Sequence, residues 1–266
     1  MNTKIMGILN VTPDSFSDGG KYFDRSLAVT HALEMLDQGA DIIDIGGETT
    51  KPGSEPVPAE EELNRVVPVL EELLSKRPDA VVSVDTTKKQ VAGEVLKRGA
   101  KIINDISALT FEPGMAEVIR EYNASVVLMH IKGTPRDMQN KPFYENTIQE
   151  ISDFLSDRIN FARSNGIEGI IVDPGIGFGK RISDNFEILS DLQKFRKLGY
   201  PVLIGLSRKS FLGKTLNIDV SSRDTATAVA EAFCMWNGAD IIRTHNVANA
   251  VQTVKLLDHL ENPLKE

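Results

Sequence analysis

Eight short apolar runs, rich in β-branched residues, alternate with stretches of helical periodicity along the chain. Runs of this length and composition predict buried strands, and apolar residues recurring every three or four positions predict helices. The predicted strands are Lys4–Asn10, Ile42–Ile45, Val81–Asp85, Ile102–Asp105, Ser125–His130, Ile170–Asp173, Val202–Gly205 and Ile241–Thr244. The predicted helices lie near 26–38, 59–76, 87–98, 113–122, 145–165, 184–198, 222–237 and 247–260.

The second predicted helix has the clearest periodicity, but it contains a proline. Its apolar face is formed by Leu63, Val66, Val67, Leu70, Leu73 and Leu74. Pro68 lacks a backbone N–H and its ring clashes with the preceding turn, so we expect a bend or a late helix start there.

An internal repeat supports one architecture for the whole chain. Gly-Ala-Asp-Ile-Ile or Gly-Ala-Lys-Ile-Ile occurs at 39–43, 99–103 and 238–242, where a helix ends at the glycine and a strand follows. Eight alternating units with nearly continuous apolar strands predict a parallel sheet covered by helices. Their number and the chain length match a closed (β/α)8 barrel, the TIM-barrel fold, occupying 1–266 as a single domain. The alternative, an open doubly wound sheet, is disfavoured because no Gly-x-Gly-x-x-Gly turn follows the first strand.

Composition excludes several classes of function. The formal net charge of −8 would repel nucleic acid and anionic membranes, so an anionic ligand needs a local basic cluster. The single cysteine, Cys234, excludes an internal disulfide and a multi-cysteine metal site, and its apolar helical setting predicts a buried structural thiol. With neither a targeting signal at the N-terminus nor an apolar run of about 18 residues, we expect a cytoplasmic protein.

Polar residues gather at the C-terminal ends of the predicted strands, where barrels of this class carry their active sites. Asp85, Asn104 and Asp173 lie at three of these ends. A carboxylate accepts two adjacent N–H donors, and an amide offers both a donor and an acceptor. Together they could recognise the edge of an aminopyrimidinone ring, as in guanine or a pterin. The competing interpretation is that these side chains only satisfy loop amides.

A second group of polar residues points to an anion. The cations predicted to converge on the barrel mouth are Lys51, Arg208, Lys209 and Arg243. His245 can join them when protonated, since it lies two residues after Arg243 and points the same way. Strands seven and eight commonly supply the phosphate site of such barrels, and the Asn10 oxygen could coordinate a Mg²⁺ that carries phosphate and waters. Lys180 and Arg181 are interpreted instead as solvated loop charges paired with nearby acids.

Other site chemistries lack the residues they need. The sequence contains neither a Gly-x-x-x-x-Gly-Lys-Ser/Thr phosphate loop nor a His-Glu-x-x-His zinc helix. His31 and His259 fall in outer helices, which leaves too few histidines for a His-rich metal centre. Ser207 lacks the surrounding Gly-x-Ser-x-Gly elbow of a serine hydrolase.

Eight motifs, in order and over essentially the whole chain, resemble those of the dihydropteroate synthases. They are MGILNVTPDSFSDGG at 6–20, DIIDIGGETTKPG at 41–53, SVDT at 83–86, IINDI at 102–106, LMH at 128–130, DPGIGFGK at 173–180, SRKSF at 207–211 and IIRTHNV at 241–247. The resemblance implies that p-aminobenzoate displaces pyrophosphate from 6-hydroxymethyl-7,8-dihydropterin diphosphate, giving 7,8-dihydropteroate for folate biosynthesis. It also implies a sulfonamide target that binds Mg²⁺ and forms a homodimer through helices distant from the mouth.

The resemblance implies a role for each matching residue. The pterin site comprises Asp85, Asn104, Asp173, Lys209 and Met129, of which Asp85, Asp173 and Lys209 are assigned to catalysis. The pyrophosphate site comprises Asn10, Arg243, His245 and Lys51, with Asn10 as a Mg²⁺ ligand. The p-aminobenzoate site comprises Thr50, Lys51, Pro52, Phe178 and Ser207. Asp14 and Asp18 match polar residues of the first strand–helix loop.

The chain departs from the family pattern at two places, and two alternatives remain open. Lys51 stands where the family usually has arginine, and Ile131-Lys132 replaces Met-Gln after the fifth strand. The alternative enzyme is the pterin domain of a corrinoid-dependent methyltransferase, which shares the barrel but has no diphosphate to hold. The non-enzymatic alternative is a paralogue that binds pterins without turnover.

Overall fold

The computed structural model describes residues 2–12 and 25–262, and its strands form one parallel sheet of eight in the order β6-β5-β4-β3-β2-β1-β8-β7. A bridge between Val172 and Val202 joins β6 to the segment preceding β7, so the sheet closes into the predicted barrel. The strands are β1 (Lys4–Asn10), β2 (Ile42–Gly46), β3 (Val82–Asp85), β4 (Ile102–Asp105), β5 (Ser125–Met129), β6 (Ile170–Asp173), β7 (Leu203–Ile204) and β8 (Ile241–Thr244).

Helices follow the strands and cover the outside of the barrel. They are α1 (Arg25–Asp37), α2 (Ala59–Lys76), α3 (Lys89–Lys97), α4 (Met115–Glu121), α5 (Thr147–Ser164), α6 (Ile182–Ser190), α7 (Gln193–Arg196), α8 (Ser210–Leu216), α9 (Asp224–Trp236) and α10 (Val247–Glu261), with a 3₁₀ helix at Val220–Ser222. Cys234 is buried in α9, as predicted. Among the described residues, no helix has the length and apolar character needed to cross a membrane.

Two sequence predictions of secondary structure are corrected, and one helix of the structure was not predicted. A late start of α2 at Pro68 is wrong, because the helix begins at Ala59 and passes through the proline. The predicted helix 184–198 is two helices, α6 and the short α7, and the break turns Leu192 and Phe195 into the core. The seven-residue α8 was not predicted, because so short a segment carries little periodicity.

The inward-facing side chains of the barrel form layers. Residues i and i+2 of a strand face the same side, so equivalent positions on neighbouring strands lie at one level. One buried cluster fills the lower interior: Met6, Ile42, Ile102, Val127, Ile171, Leu203 and Ile241. The next layer lies two residues further along the chain in each case: Ile8, Asp44, Asn104, Met129, Asp173, Gly205 and Arg243. Asp85 on β3 pairs in register with Asn104 on β4, so it lies at the level of this second layer. We call Asp44, Asp85, Asn104, Asp173 and Arg243 the polar layer.

Candidate active site

The polar layer is joined by one arginine. Arg243 donates from Nε to Asp44 Oδ2 at 2.6 Å and from Nη2 to Asp85 Oδ2 at 2.9 Å. Asn104 Nδ2 donates to the same Asp44 oxygen at 3.0 Å. Asp44 is fully buried, whereas 20% of the Arg243 side chain stays exposed, so a ligand in the mouth can reach the guanidinium.

Sequence reasoning missed Asp44. The signal was present, because this single acidic residue interrupts the apolar run Ile42-Ile43-Asp44-Ile45 at an interior position of β2. A charge in that position needs a partner, since an isolated carboxylate is costly to bury. The register of the barrel supplies Arg243, two strands away across β1.

Burial and neighbouring charges set the protonation of the layer. Burial raises the pKa of Asp85 to about 7; Arg243 opposes this shift and Asp44 adds to it. Burial also raises the pKa of Asp173, against the opposing charge of Lys209. Burial alone would lower the pKa of Arg243, but Asp44 and Asp85 outweigh it and raise the pKa. Arg243 is therefore a permanent cation, and the carboxyls of Asp85 and Asp173 hold their protons more tightly than usual.

Asp173 and Lys209 lie together beside the loop after β6. Asp173 Oδ1 accepts the Gly175 N–H at 2.7 Å, and Lys209 Nζ donates to the Ile176 carbonyl. The Lys209 ammonium also lies 4.4 Å from the centroid of the Phe178 ring. Burial lowers the pKa of Lys209 to about 8, although Asp173 opposes the shift. At neutral pH, Lys209 is a cation that a small change of environment can deprotonate.

The loop after β6 requires glycine and places Lys180 where the sequence did not predict it. Gly175 has φ +72°, and a Cβ there would lie 1.9 Å from the His130 carbonyl oxygen. The loop folds Lys180 inward, with Nζ 3.0 Å from His130 Nδ1 and donating to the Phe178 carbonyl at 3.0 Å. Lys180 is buried, and burial lowers its pKa well below the usual value, so its interpretation as a solvated charge is wrong. Arg181 does pair with an acid, Asp184, at 2.7 Å.

The ends of β7 and β8 bring His245 and Ser207 together. His245 Nδ1 lies 3.0 Å from Ser207 Oγ, and the His245 N–H donates to the same oxygen at 3.2 Å. Burial, followed by the charges of Arg243 and Arg208, lowers the pKa of His245 to about 4. Near pH 7 this histidine is therefore neutral in the free protein. Arg208 is held by Asp224, at 2.6 and 2.8 Å, rather than extending freely into the mouth.

The loop between β2 and α2, residues 47–58, crosses part of the mouth. Its Gly53 N–H donates to the Pro135 carbonyl in the loop after β5, at 2.9 Å. Lys51 is exposed, and its charge contributes to the lowered pKa of His245, which places it on the β8 side. Thr50 is half-buried and Pro52 is exposed.

Asn10 and an apolar cluster complete the surroundings of the polar layer. A methyl group built on Gly46 would lie 3.6 Å from Asn10 Oδ1 and 3.7 Å from Asp85 Cβ, so Asn10 and Asp85 both border Gly46 at the end of β2. On the opposite side, Phe178 packs against a buried cluster consisting of Ile106, Met129, Ile131 and Met138. Asp14 and Asp18 fall outside the described residues. Within residues 2–12 and 25–262, no group of three or more His, Cys, Asp or Glu side chains could hold a metal.

This arrangement suits a flat polar heterocycle. Carboxylates and an amide lie beneath the mouth, an apolar cluster borders them, and cations lie beside and above them. Buried acceptors of this kind recognise N–H donors, while the cations and Asn10 at the rim are available to an anionic group.

Three comparisons with known proteins agree with this geometry. The model of the family "Pterin binding enzyme" matches residues 6–245. A dihydropteroate synthase of Synechocystis sp. is 44% identical over 261 residues, 97% of this chain and 90% of the relative. The structure of Xanthomonas albilineans dihydropteroate synthase with 4-aminobenzoic acid has a TM-score of 0.92 and 39% identity, covering 98% of this chain and 94% of that one. A structure of the same enzyme in complex with 7,8-dihydropteroate has a TM-score of 0.88, 37% identity and the same coverage.

The pairing of Arg243 with Asp44 and Asp85 leads to a prediction about the free energy of unfolding. Replacing Arg243 by methionine leaves Asp44 and Asp85 without their counter-charge, which should lower the free energy of unfolding by about 3–5 kcal/mol. Adding Asp44→Asn to Arg243→Met should recover part of that loss, because one uncompensated buried charge is removed. Urea denaturation of the three proteins measures both effects. An Arg243→Met variant as stable as the original would show that the pairing contributes no net stability.

Proposed function

The chain belongs to the dihydropteroate synthases within the family of pterin-binding enzymes, and from that premise we propose that the polar layer is its pterin site. The enzyme transfers the 7,8-dihydropterin-6-ylmethyl group from 6-hydroxymethyl-7,8-dihydropterin diphosphate to p-aminobenzoate and releases pyrophosphate. The observation that carries the assignment is the set of acceptors on β3, β4 and β6 at one level of the barrel interior, with Asn104 and Asp173 buried and Asp85 half-buried.

We assign the pterin ring to Asp85, Asn104, Asp173 and Lys209. Asp173 accepts ring N–H donors, Asn104 offers both a donor and an acceptor, and the Lys209 ammonium donates to a ring acceptor. Met129 is buried in the apolar cluster, and we assign it to one face of the ring. Because Asp44 holds Arg243 from below, the guanidinium is already oriented when the ring enters.

The pyrophosphate is assigned to Arg243, His245, Lys51 and Asn10. His245 is neutral in the free protein, so it serves as a hydrogen-bond donor, and an arriving anion would raise its pKa by compensating for Arg243. Lys51 provides a point charge where the family's arginine would provide a planar fork.

The donor set around Asn10 fits a Mg²⁺ that the substrate brings with it. Mg²⁺ prefers hard oxygen ligands, keeps several waters and is commonly bound through one or two protein oxygens plus substrate phosphates. Asn10 Oδ1 is such an oxygen at the rim. When bound, the ion neutralises charge that develops on the departing pyrophosphate. We accordingly propose Asn10 as its protein ligand.

The p-aminobenzoate is assigned to Thr50, Lys51, Pro52, Phe178 and Ser207. Phe178 lies against the Lys209 ammonium, Ser207 lies beside His245, and the β2–α2 loop reaches Pro135 in the loop after β5. A ring in this position lies over the pterin methylene. The arylamine is neutral near pH 7, so its lone pair is available without a general base.

The reaction then needs mainly positioning and charge stabilisation. The C–O bond breaks with its electron pair leaving on pyrophosphate, the amine nitrogen forms the new C–N bond, and the amine then releases one proton to solvent. Fixed cations near the leaving group stabilise its growing charge, and the fixed loops hold the two substrates in line.

A homodimer is proposed from an apolar surface on α9 and α10. Phe233 is 48% exposed and Trp236 57% exposed, on the half of α9 remote from the mouth. Val229, Leu256 and Leu260 are also exposed on these two adjacent helices. Large exposed apolar side chains concentrated on adjacent helices mark association sites in many proteins. A second copy of the chain, related by a two-fold axis, would cover it.

Asp173→Asn should weaken pterin binding while leaving the fold intact, because an amide cannot accept both N–H donors. The loss of a charge-assisted hydrogen bond is worth on the order of 1.5–3 kcal/mol, roughly ten- to a hundredfold in affinity. Calorimetric titration with a pterin analogue measures it. Burial raises the pKa of both Asp85 and Asp173, so lowering the pH from 8 to 6 protonates more of these carboxyls. A protonated carboxyl is a poorer acceptor for the ring N–H donors, and the affinity of the wild type for the pterin analogue should therefore also fall. Unchanged affinity in the variant would remove Asp173 from the site.

The Mg²⁺ assignment is tested by thermal unfolding. Pyrophosphate should raise the melting temperature of the wild type further when Mg²⁺ is present, because any ligand that binds only the folded state stabilises it. Asn10→Ala should lose the additional shift due to Mg²⁺ and retain the shift due to pyrophosphate alone. If Mg²⁺ still produces the additional rise in melting temperature in Asn10→Ala, the ion is bound by other residues.

The homodimer is tested by light scattering of three proteins. The wild type should have the mass of two chains, Trp236→Glu should shift toward one chain, and Phe143→Glu should remain like the wild type. Phe143 is the matched control, since it is 60% exposed but lies next to Arg181 on another surface. A monomeric wild type would refute the proposal.

A further inference from the structure

The two ends of the β2–α2 loop are joined by a carboxylate. Glu48 lies two residues beyond the end of β2, and its Oε2 accepts the N–H of Val57, nine residues later, at 2.8 Å. Residues 49–56 therefore form a closed loop whose two ends are joined by one side chain, and Arg65 of α2 also donates to the Gly47 carbonyl at 2.7 Å. These residues include Thr50, Lys51 and Pro52.

Lys88 holds this carboxylate from outside the loop. Lys88 follows β3, and its Nζ donates to Glu48 Oε2 at 2.6 Å and also to Oε2 of Glu62. Glu62 lies in the first turn of α2 and is fully buried, and its Oε1 has no hydrogen-bond partner among the described residues. One ammonium thus connects the loop base to the buried start of the helix that follows the loop.

Packing explains why the three groups meet. A Cβ on Gly47 would lie 2.7 Å from Val66 Cγ2 and 2.9 Å from Glu62 Cγ, so the end of β2 rests directly on the first turns of α2. Burial alone would lower the pKa of Lys88, but its hydrogen bonds to Glu48 and Glu62 outweigh burial and raise the pKa. The lysine therefore stays charged, and it is the cation that makes the buried Glu62 carboxylate tolerable.

The loop is fixed again at its tip. The Gly53 N–H donates to the Pro135 carbonyl, and Glu55 lies 3.4 Å from Arg136 in the same neighbouring loop. The second of these contacts is between exposed side chains and contributes little. The tip therefore depends on one backbone hydrogen bond, while the base depends on the charged group of Glu48, Lys88 and Glu62 together with the Arg65–Gly47 hydrogen bond.

We propose that Lys88 is a positioning residue for p-aminobenzoate: it sets the base of the β2–α2 loop and thereby the placement of Thr50 and Lys51 over the mouth. The inference rests on the proposed assignment of this loop to p-aminobenzoate. Lys88 itself touches no substrate. Without it, the loop base loses its charged link to α2 and keeps the hydrogen bond from Arg65 to the Gly47 carbonyl, so the second substrate binds less well. The pterin residues on β4 and β6, Asn104 and Asp173, are hydrogen-bonded elsewhere, to Asp44 and Gly175, so binding of the pterin analogue is retained.

The test compares two adjacent lysines. Lys88→Met should raise KM for p-aminobenzoate about tenfold or more, the loss expected for a charge-assisted hydrogen bond, with the affinity for a pterin analogue within twofold of the wild type. Lys89→Met is the matched control, because Lys89 is 44% exposed and lies 3.8 Å from Glu117, away from the loop. Lys88→Arg should keep KM for p-aminobenzoate close to the wild-type value, because arginine retains the positive charge. Hydrogen–deuterium exchange of the peptide 48–57 should accelerate in Lys88→Met only.

Two further variants distinguish a failure of the positioning role of Lys88 from a failure of the loop assignment. Glu48→Ala leaves the Lys88–Glu62 pair intact and should reproduce the rise in KM even if Lys88→Met folds poorly. Lys51→Ala tests the loop assignment itself and should also raise KM for p-aminobenzoate. If Lys51→Ala raises KM while Lys88→Met and Glu48→Ala do not, the positioning role of Lys88 is wrong and the proposed function stands. If none of the three variants changes KM, the loop does not bind p-aminobenzoate and both proposals fail.

Discussion

The ion pairs of Arg243 with Asp44 and Asp85 are the interaction on which the rest of this structure depends. A closed parallel barrel places every second residue of each strand inside, so polar residues at the strand ends share one enclosed level. Asp44, Asp85 and Asp173 bring three carboxyls to that level, and Arg243 and Lys209 are the cations that face them. The layer is costly to bury, yet it remains reachable from the mouth. We attribute its presence to ligand recognition rather than to stability.

Because these charged side chains are held in place before a substrate binds, they need little rearrangement during the reaction. Asp44 orients Arg243, Gly175 and Lys180 shape the loop beside Asp173, and Lys88 sets the base of the β2–α2 loop. Each of these residues lies behind a group that is proposed to contact substrate. These supporting contacts hold the substrate-binding donors and cations in fixed orientations toward the atoms on which charge develops during the reaction. Such electrostatic preorganisation is the main source of catalysis when no general acid or base is required.

The sequence alone predicted most of the fold, since β-branched runs and glycine helix ends are local signals. It also placed Asp85, Asn104 and Asp173 at one end of the barrel, because that follows from strand direction. The residues it missed depend on distant contacts. Asp44 is recognised as buried and paired only once β8 lies beside β1, and Lys180 is buried only because the glycine-rich loop turns it toward His130. The triad of Glu48, Lys88 and Glu62 joins three elements that no local pattern connects.

If these fixed groups carry out a complete transfer reaction, the two products must form in a fixed ratio. The purified protein is incubated with 6-hydroxymethyl-7,8-dihydropterin diphosphate, p-aminobenzoate and Mg²⁺, and 7,8-dihydropteroate and pyrophosphate are quantified in the same samples. We expect the two products to appear in equal amounts and both to require p-aminobenzoate. Normal pterin binding without either product, or pyrophosphate release without dihydropteroate, would contradict this expectation.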